Sequence, residues 1–540
     1  MPIDYIPPKK LLPRINPLSE FPCPQKLNLS NYLLDKNIDE RKSNKCAILY
    51  KDKKITYENL RIMVNKLGNS LKDLGIKNGS RVLIRTPNIP EFIVANLATQ
   101  KIGAITVPTM MLLKAREISH IANNTEAKAM ITSSNLINEV EKASGSLKTI
   151  KNIIVIGEEA EGLDKRDYLP YEELVNKGNE KLEAVNIDHD DVALIFHTSA
   201  TTGPSKGCIH TPEGVLWASY SYGKYCLQVK EDDVIGGHPT MAFTYGYAGL
   251  AIIPFLFGVS SSLLADRFTP EKMFETIDKH RITILYSVPT AYRMMLNAIP
   301  DAEKKYDLGS LRILVTGGET MGALLFHKLK KMLPHVEILE QIGLTEAFHA
   351  ICSSRPGKVK PGSMGIEILG YTVRIFDDNG KECLPKDHGY LAFRGPVGCR
   401  YWRSPEKQRE SVKKGWNYTG DIAWRDEDGF FWFVSRIDDI IKSAAYHVAP
   451  HEVEQVLMEH PAVLESAVIG APDPSRGQRV KAFIVLREGY KPSRDTAEKL
   501  KNFVRGKIAA YKAPDKIEFV NEIPKTETQK VRRAELRKVD

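Results

Sequence analysis

The sequence predicts an α/β fold: a large N-terminal domain with mainly parallel sheets flanked by helices plus a small β-barrel-like part, and a small α+β C-terminal domain. Three observations lead there. Short apolar runs ending in Gly, Ser, Pro or Asp alternate with helical patterns through most of the chain. From about residue 370 that rhythm gives way to strand-like segments and an Asn-Gly turn. The last hundred or so residues then read as a separate α+β unit.

Taken in order, residues 59–75, NLRIMVNKLGNSLKDLG, space their apolar side chains as a helix does and stop at Gly. SRVLIRTPN reads as a strand entering a turn, and PEFIVANLATQKIGAITVP as helix, Gly cap and strand. AKAMITSS, KNIIVIGE, SSLLAD, ITILYSVP, LRILVTGG and VEILEQIG repeat the strand half of the pattern. Such alternation argues for parallel sheets, whose ligands bind beyond the carboxyl ends of the strands. Further on, YTVRIFDDNGKE reads as a hairpin about Asn379-Gly380. GYLAFRG and GFFWFVSR read as strands, and HEVEQVLMEHPAVLESAVIGAPD as helix, Pro and strand. The joint is expected at SRIDDIIKS, which divides the chain into 1–435 and 436–540.

Composition narrows the function. Hydrophobic residues at 42% and charged residues at 26% of 540 are globular values. The net charge of +9 is spread among 67 acids, which argues for a solvated surface and against a nucleic-acid stripe. The seven cysteines form no C-x-x-C, so neither a zinc site nor a redox pair is expected, and scattered thiols with no signal-peptide core point to the cytoplasm. Residues 234–265 contain no Asp, Glu, Lys or Arg. Their length would suit a bilayer, but Gly249, Pro254, Gly258 and three consecutive serines favour a buried helix, a turn and a strand. No membrane or nucleic-acid partner is expected. The oligomeric state stays open, a homodimer being compatible.

Four polar motifs follow strands. HTSATTGPSKG, residues 197–207, combines the hydroxyls of Ser199, Thr201 and Thr202 with Gly203, Gly207 and Lys206. Glycines let backbone amides approach a phosphate, although an ordinary Ser/Thr turn has the same composition. The spacing is not that of G-x-x-x-x-G-K-[ST], which argues against a P-loop ATPase. LVTGGET offers Gly317, Gly318 and Glu319, where a flat ring could lie against backbone. QIGLTEAF pairs Thr345 with Glu346, a hydroxyl and a carboxylate suited to Mg²⁺ and phosphate. WNYTGD ends in Asp421, which could accept from both hydroxyls of a ribose.

With these motifs in this order, the whole chain resembles the adenylate-forming superfamily of acyl- and aryl-CoA synthetases, peptide-synthetase adenylation domains and luciferases. HTSATTGPSKG matches its phosphate loop, QIGLTE its Y-G-x-T-E box, WNYTGD its Y-x-T-G-D box, SRIDDIIK its hinge and PKTETQK its C-terminal lysine box. The resemblance implies a carboxylate–CoA ligase using ATP, Mg²⁺ and CoA, with an acyl-adenylate and then a thioester as products. It implies Ser199, Thr201, Thr202, Gly203 and Lys206 around the β,γ-phosphates. Gly317, Gly318 and Glu319 would flank adenine, with Gln341 and Ile342 opposite. Thr345 would touch the α-phosphate, Glu346 would ligate Mg²⁺, and Asp421 with Arg436 would hold the ribose. Lys530 would be the catalytic lysine, Asp438 the hinge and Ala445 part of the CoA channel. Ala200, Ser435 and Gln529 stand where the family has glycine, Ala445 where CoA ligases usually have it, and His447 where Arg or Asn is common.

The acyl pocket should be built from TMAFTYGYAG, the GGET turn and LTEAFHA. Phe243 takes a position that is His in many relatives, and AFTYG with RGPVGCRYW looks most like benzoate- and 2-aminobenzoate-CoA ligases. Phe243, Tyr245, Gly246 and Phe348 would then bound a small-molecule acid, with aromatic walls that suit a ring. A short- or medium-chain acid would accept the same walls. Loading of a separate carrier protein and a non-catalytic nucleotide-binding relative remain the other readings.

Overall fold

The computed structural model describes residues 7–40, 42–157, 168–198, 205–264, 267–443, 446–473, 477–525 and 531–538. Among these residues the strands form four sheets. The first has seven strands in the order Leu169–Pro170, Asn152–Ile156, Ala129–Ser133, Arg81–Arg85, Ile105–Pro108, Leu194–Thr198 and Lys206–His210. Neighbours run parallel until the last pair, which is antiparallel.

The second sheet has nine strands. Its parallel centre runs Glu337–Gly343, Ile313–Thr316, Ile284–Ser287, Val234–Gly237, Ser260–Leu263 and Cys46–Tyr50. Antiparallel strands close both edges. All six strands expected between residues 129 and 343 form, each buried along most of its length.

Between the two sheets lies the largest apolar core, fed by strands of both and by helices Tyr57–Asp73 and Pro90–Lys101. The first of these starts where Thr56 Oγ1 accepts from Asn59 N at 3.1 Å. The second is apolar nearly all round and is accordingly buried along almost its whole length. Its terminal Lys101, 2% exposed, pairs with Asp35 at 2.8 Å.

The uncharged stretch 234–265 folds as the buried reading requires. After strand Val234–Gly237 come helix Thr244–Tyr247, a π-turn over Ala248–Ile252, helix Ile253–Phe257 and strand Ser260–Leu263. The three serine hydroxyls are all bonded: to Cys46 O at 2.8 Å, to Leu250 O at 2.7 Å and to His280 Nδ1 at 2.7 Å. No described helix is long and apolar enough to cross a membrane.

The small β part is a five-stranded antiparallel sheet centred on Trp416–Arg425. Here one expectation needs correction. The Asn-Gly turn forms, with Gly380 at φ +76°, but it closes only a single bridge between Phe376 and Glu382. Strand Thr372–Phe376 instead takes Gly389–Arg394 as its ladder partner, because those residues offer five paired positions with an apolar face. The C-terminal sheet, also five-stranded, packs helices Pro450–Glu459 and Arg494–Lys507. Its core, from Ile441 to Ala513, shares no residue with the clusters before it.

Candidate active site

The glycine- and hydroxyl-rich loop closes a β-hairpin. Leu194–Thr198 and Lys206–His210 pair antiparallel with Thr198 opposite Lys206, so the lysine begins the returning strand. Ser199, Ala200, Thr201, Thr202 and Gly203, at the tip, lie outside the described residues. A P-loop runs from strand into helix; this loop turns back into its own sheet, which accounts for the different lysine spacing. The returning strand is held on its other edge too. Trp402 N donates to Gly207 O at 2.8 Å and Ile209 N to Arg400 O at 2.7 Å.

That second edge carries Tyr401, which the sequence did not single out. Its hydroxyl donates to Glu346 Oε1 at 2.5 Å. The ring is 2% exposed, and burial first, then the Glu346 charge, pushes its hydroxyl pKa far up, so it stays a donor. Gln408 fixes the segment, accepting from Tyr401 N at 2.9 Å and donating to Cys399 O at 2.8 Å. Thr345 and Glu346 sit in a one-turn 3₁₀-helix, Thr345–Ala347, directly after strand Glu337–Gly343.

Gly317 and Gly318 follow strand Ile313–Thr316 and face the neighbouring strand. A Cβ on Gly317 would lie 3.1 Å from Gln341 Cγ, a tight contact that would oblige the Gln341 side chain to shift by a few tenths of an ångström. Gly318 adopts φ +84°. Glu319 Oε2 accepts from the Thr290 hydroxyl at 2.8 Å. Gln341 is buried and Ile342 half-buried alongside. Beneath them Glu340 accepts from Met321 N at 3.0 Å and so pins the end of the glycine turn.

Asp421 and Arg436 are direct cross-strand partners, with Nη1 2.7 Å from Oδ1. Asp421 is buried and Arg436 exposed. Thr419 orients both: its hydroxyl accepts from Asp421 N at 3.1 Å, and its carbonyl accepts from Arg436 at 3.2 Å. Asp421 chiefly, and Glu346 to a lesser degree, raise the Arg436 pKa. The Glu346 and Asp421 motifs, 75 residues apart in the chain, therefore share one electrostatic neighbourhood.

Phe243 is half-buried at the start of helix Thr244–Tyr247. Tyr245 donates from its hydroxyl to Ser287 O at 2.8 Å and Val315 O at 3.2 Å, across two strand ends. A Cβ on Gly246 would lie 2.3 Å from Thr240 O, so the helix can turn there only with glycine. Phe348 is wholly buried in the core between the sheets, its ring 5.3 Å from His210 and 6.1 Å from Tyr247. It has φ +64°, and the chain reverses side there. The place beside Tyr245 goes instead to His349, whose ring stacks 6.1 Å from Tyr245 and lies 6.1 Å from Tyr286. Burial lowers the His349 pKa to about 3, so the imidazole is neutral and keeps one donor and one acceptor. Neither ring nitrogen has a hydrogen-bond partner among the described residues, nor does the Tyr286 hydroxyl.

Asp438 is exposed in the 3₁₀ turn Ile437–Asp439. Ala445 and Lys530 lie outside the described residues. All seven cysteines are free thiols. Among the described residues no group of three His, Cys, Asp or Glu could hold a metal alone. Thr345 and Glu346, adjacent in one turn, are oxygen donors of the kind Mg²⁺ takes when it completes its shell from phosphates and water.

Against known proteins, the profile of the family described as AMP-binding enzyme matches residues 34–402, and that of the AMP-binding enzyme C-terminal domain matches 452–530. The chain is 34% identical over 522 residues to acetyl-coenzyme A synthetase of Bacillus subtilis, covering 95% of this chain and 90% of that protein. It is 31% identical over 517 residues to benzoate–CoA ligase of Thauera aromatica, covering 95% and 96%. The crystal structure of the anthranilate CoA ligase AuaEII in complex with anthranoyl-AMP superposes with a TM-score of 0.90 at 33% identity, covering 96% and 98%. Motifs, fold and these matches agree: the chain belongs to the AMP-binding, adenylate-forming family of enzymes.

Proposed function

We propose that the chain ligates an aromatic carboxylic acid of the benzoate or 2-aminobenzoate type to CoA, using ATP. In the first step a carboxylate oxygen bonds to the α-phosphorus, and the bond to the bridging oxygen breaks, so that pyrophosphate leaves with the electron pair. In the second the CoA sulfur bonds to the acyl carbon, AMP leaves, and the thiol proton passes to water. A carboxylate is a poor electrophile, and the adenylate supplies it with a leaving group. Such chemistry depends on positioning and charge neutralisation.

In this reading Ser199, Thr201, Thr202, Gly203 and Lys206 hold the departing phosphates. Gly317, Gly318, Glu319, Gln341 and Ile342 enclose adenine, and Asp421 with Arg436 takes the ribose. Thr345 contacts the α-phosphate. Glu346 would hold Mg²⁺, which when bound neutralises phosphate charge. Lys530 offsets the repulsion between the acid and ATP. Residues 1–435 and 436–540 form two bodies turning at Asp438, and Ala445 borders the path of the CoA thiol.

The observation that carries the ring acid is the cluster of Tyr245, Tyr286 and His349. Flat apolar faces suit an aromatic ring, and the neutral His349 with the Tyr286 hydroxyl offers buried polar contacts that have no partner among the described residues. A short-chain acid is the second reading, favoured by the 34% identity to acetyl-coenzyme A synthetase. The test is thioester formation with ATP, Mg²⁺ and CoA over benzoate, 2-aminobenzoate and straight-chain acids from acetate to octanoate, beside Lys530→Ala. Preference for ring acids, lost in the variant, is expected; preference for chains would discard the aromatic pocket and keep the mechanism.

A further inference from the structure

We propose that Asp439, the second carboxylate of the turn Ile437–Asp439, is a positioning residue that locks this turn to the C-terminal helix beyond Lys530. The inference rests on the reading of Lys530 as catalytic. Two arginines one helical turn apart grip the two oxygens of Asp439. Arg537 reaches Oδ1 at 2.8 Å and Arg533 reaches Oδ2 at 3.5 Å. Both belong to or adjoin helix Arg533–Leu536. Arg537 also donates to the Asp438 carbonyl at 3.4 Å.

Arg533 is itself fixed by the body of the C-terminal unit. Its Nη2 lies 2.6 Å from Glu454 Oε1, and its Nε donates to Val468 O at 3.1 Å. Glu454 is buried on helix Pro450–Glu459 and also accepts from Val468 N at 2.8 Å. On the other side of residues 526–530, Lys525 bridges Val531 and pairs with Glu465 at 2.7 Å, and Arg532 N donates to Pro524 O at 2.8 Å. Both ends of the segment carrying Lys530 are thus tied to the same strand, Val463–Asp473, and the helix that follows it is tied to the turn.

Asp439 is thus bound to the same body as the segment that carries Lys530, next to the turning point read at Asp438. Asp439 converts rotation at the pivot into a fixed placement of the helix three residues after Lys530. A buried ion pair would be a poor site for a test, because removing one partner strands the other. Asp439 avoids this: without it Arg533 keeps Glu454 and the Val468 carbonyl.

The experiment uses the full chain and the best acid of the panel above. Asp439→Asn and Asp439→Glu are compared with wild type and Lys530→Ala in two assays: ATP–pyrophosphate exchange for the first step, and thioester formation from the synthetic acyl-adenylate and CoA for the second. Asp439→Asn is expected to slow exchange by roughly tenfold to a hundredfold, the cost of a misplaced catalytic group. The second step should stay close to wild type, and Asp439→Glu should recover most of the exchange. Amide exchange at 531–538 should quicken in Asp439→Asn while strands Val463–Asp473 and Gly477–Leu486 keep their protection. Unchanged pyrophosphate exchange, or an equal fall in both steps, overturns the proposal. Full exchange activity in Lys530→Ala would instead overturn the reading of Lys530 and the inference with it.

Discussion

Replacing Glu340 with Gln probes a carboxyl group buried beneath the glycine turn 317–318. Glu340 is 4% exposed, and burial lifts its pKa from the ordinary 4.5 to about 7, against the opposing pull of the backbone N–H groups of Met321 and Gly362. The folded protein therefore keeps a proton there that the unfolded chain releases near pH 4.5. Stability contributed by the neutral group is fully present below about pH 4.5, declines as pH rises, and is lost above about pH 7. At about 1.4 kcal/mol per pH unit, the interval amounts to about 3 kcal/mol. Glutamine keeps the acceptor for Met321 N and cannot ionise. Urea unfolding of wild type and Glu340→Gln at about pH 5 and about pH 8 should thus show the variant gaining about 3 kcal/mol on the wild type across the interval. Taking the difference between the two proteins cancels all other titrating groups. A difference that is the same at both pH values would refute the assignment of a neutral buried carboxyl.

Two further outcomes follow from the site. Tyr401→Phe removes the hydroxyl that donates to Glu346 and leaves the ring in place. A hydrogen bond to a charged group contributes about 1.5–3 kcal/mol, so urea unfolding should show a loss of that order, and kcat/KM for ATP in pyrophosphate exchange should fall roughly tenfold to a hundredfold. Phe348→Ala empties a wholly buried site and should cost about 3–5 kcal/mol in urea unfolding, while the preference among acids stays as in wild type.

Most central strands of the two large sheets were legible because they are apolar runs cut by Gly, Ser or Pro, a signal carried within four or five residues. The partner of Thr372–Phe376 was not, since a local Asn-Gly turn competes with a more distant strand and only the packed sheet decides. The four polar motifs could be read as strings, yet their convergence could not: Glu346, which raises the Arg436 pKa, lies 90 residues before it. Tyr401 gives no spacing signal, as it reaches Glu346 through a strand edge formed by unrelated segments. Phe348 and His349 exchange sides because of a positive φ at a phenylalanine, a conformation that side chain rarely takes and that sequence does not announce.

The antiparallel ladder beneath residues 199–204 bears on how this enzyme can diverge. Leu194–Thr198 and Lys206–His210 are registered by five residue pairs and braced from outside by residues 400–402. Their alignment is therefore set below the tip and does not depend on its composition. Lengthening a loop adds closure entropy only slowly, so insertions and replacements at the tip, Ala200 among them, leave the scaffold in place. Sequence change at the tip can thus proceed while the framework that presents it stays in register.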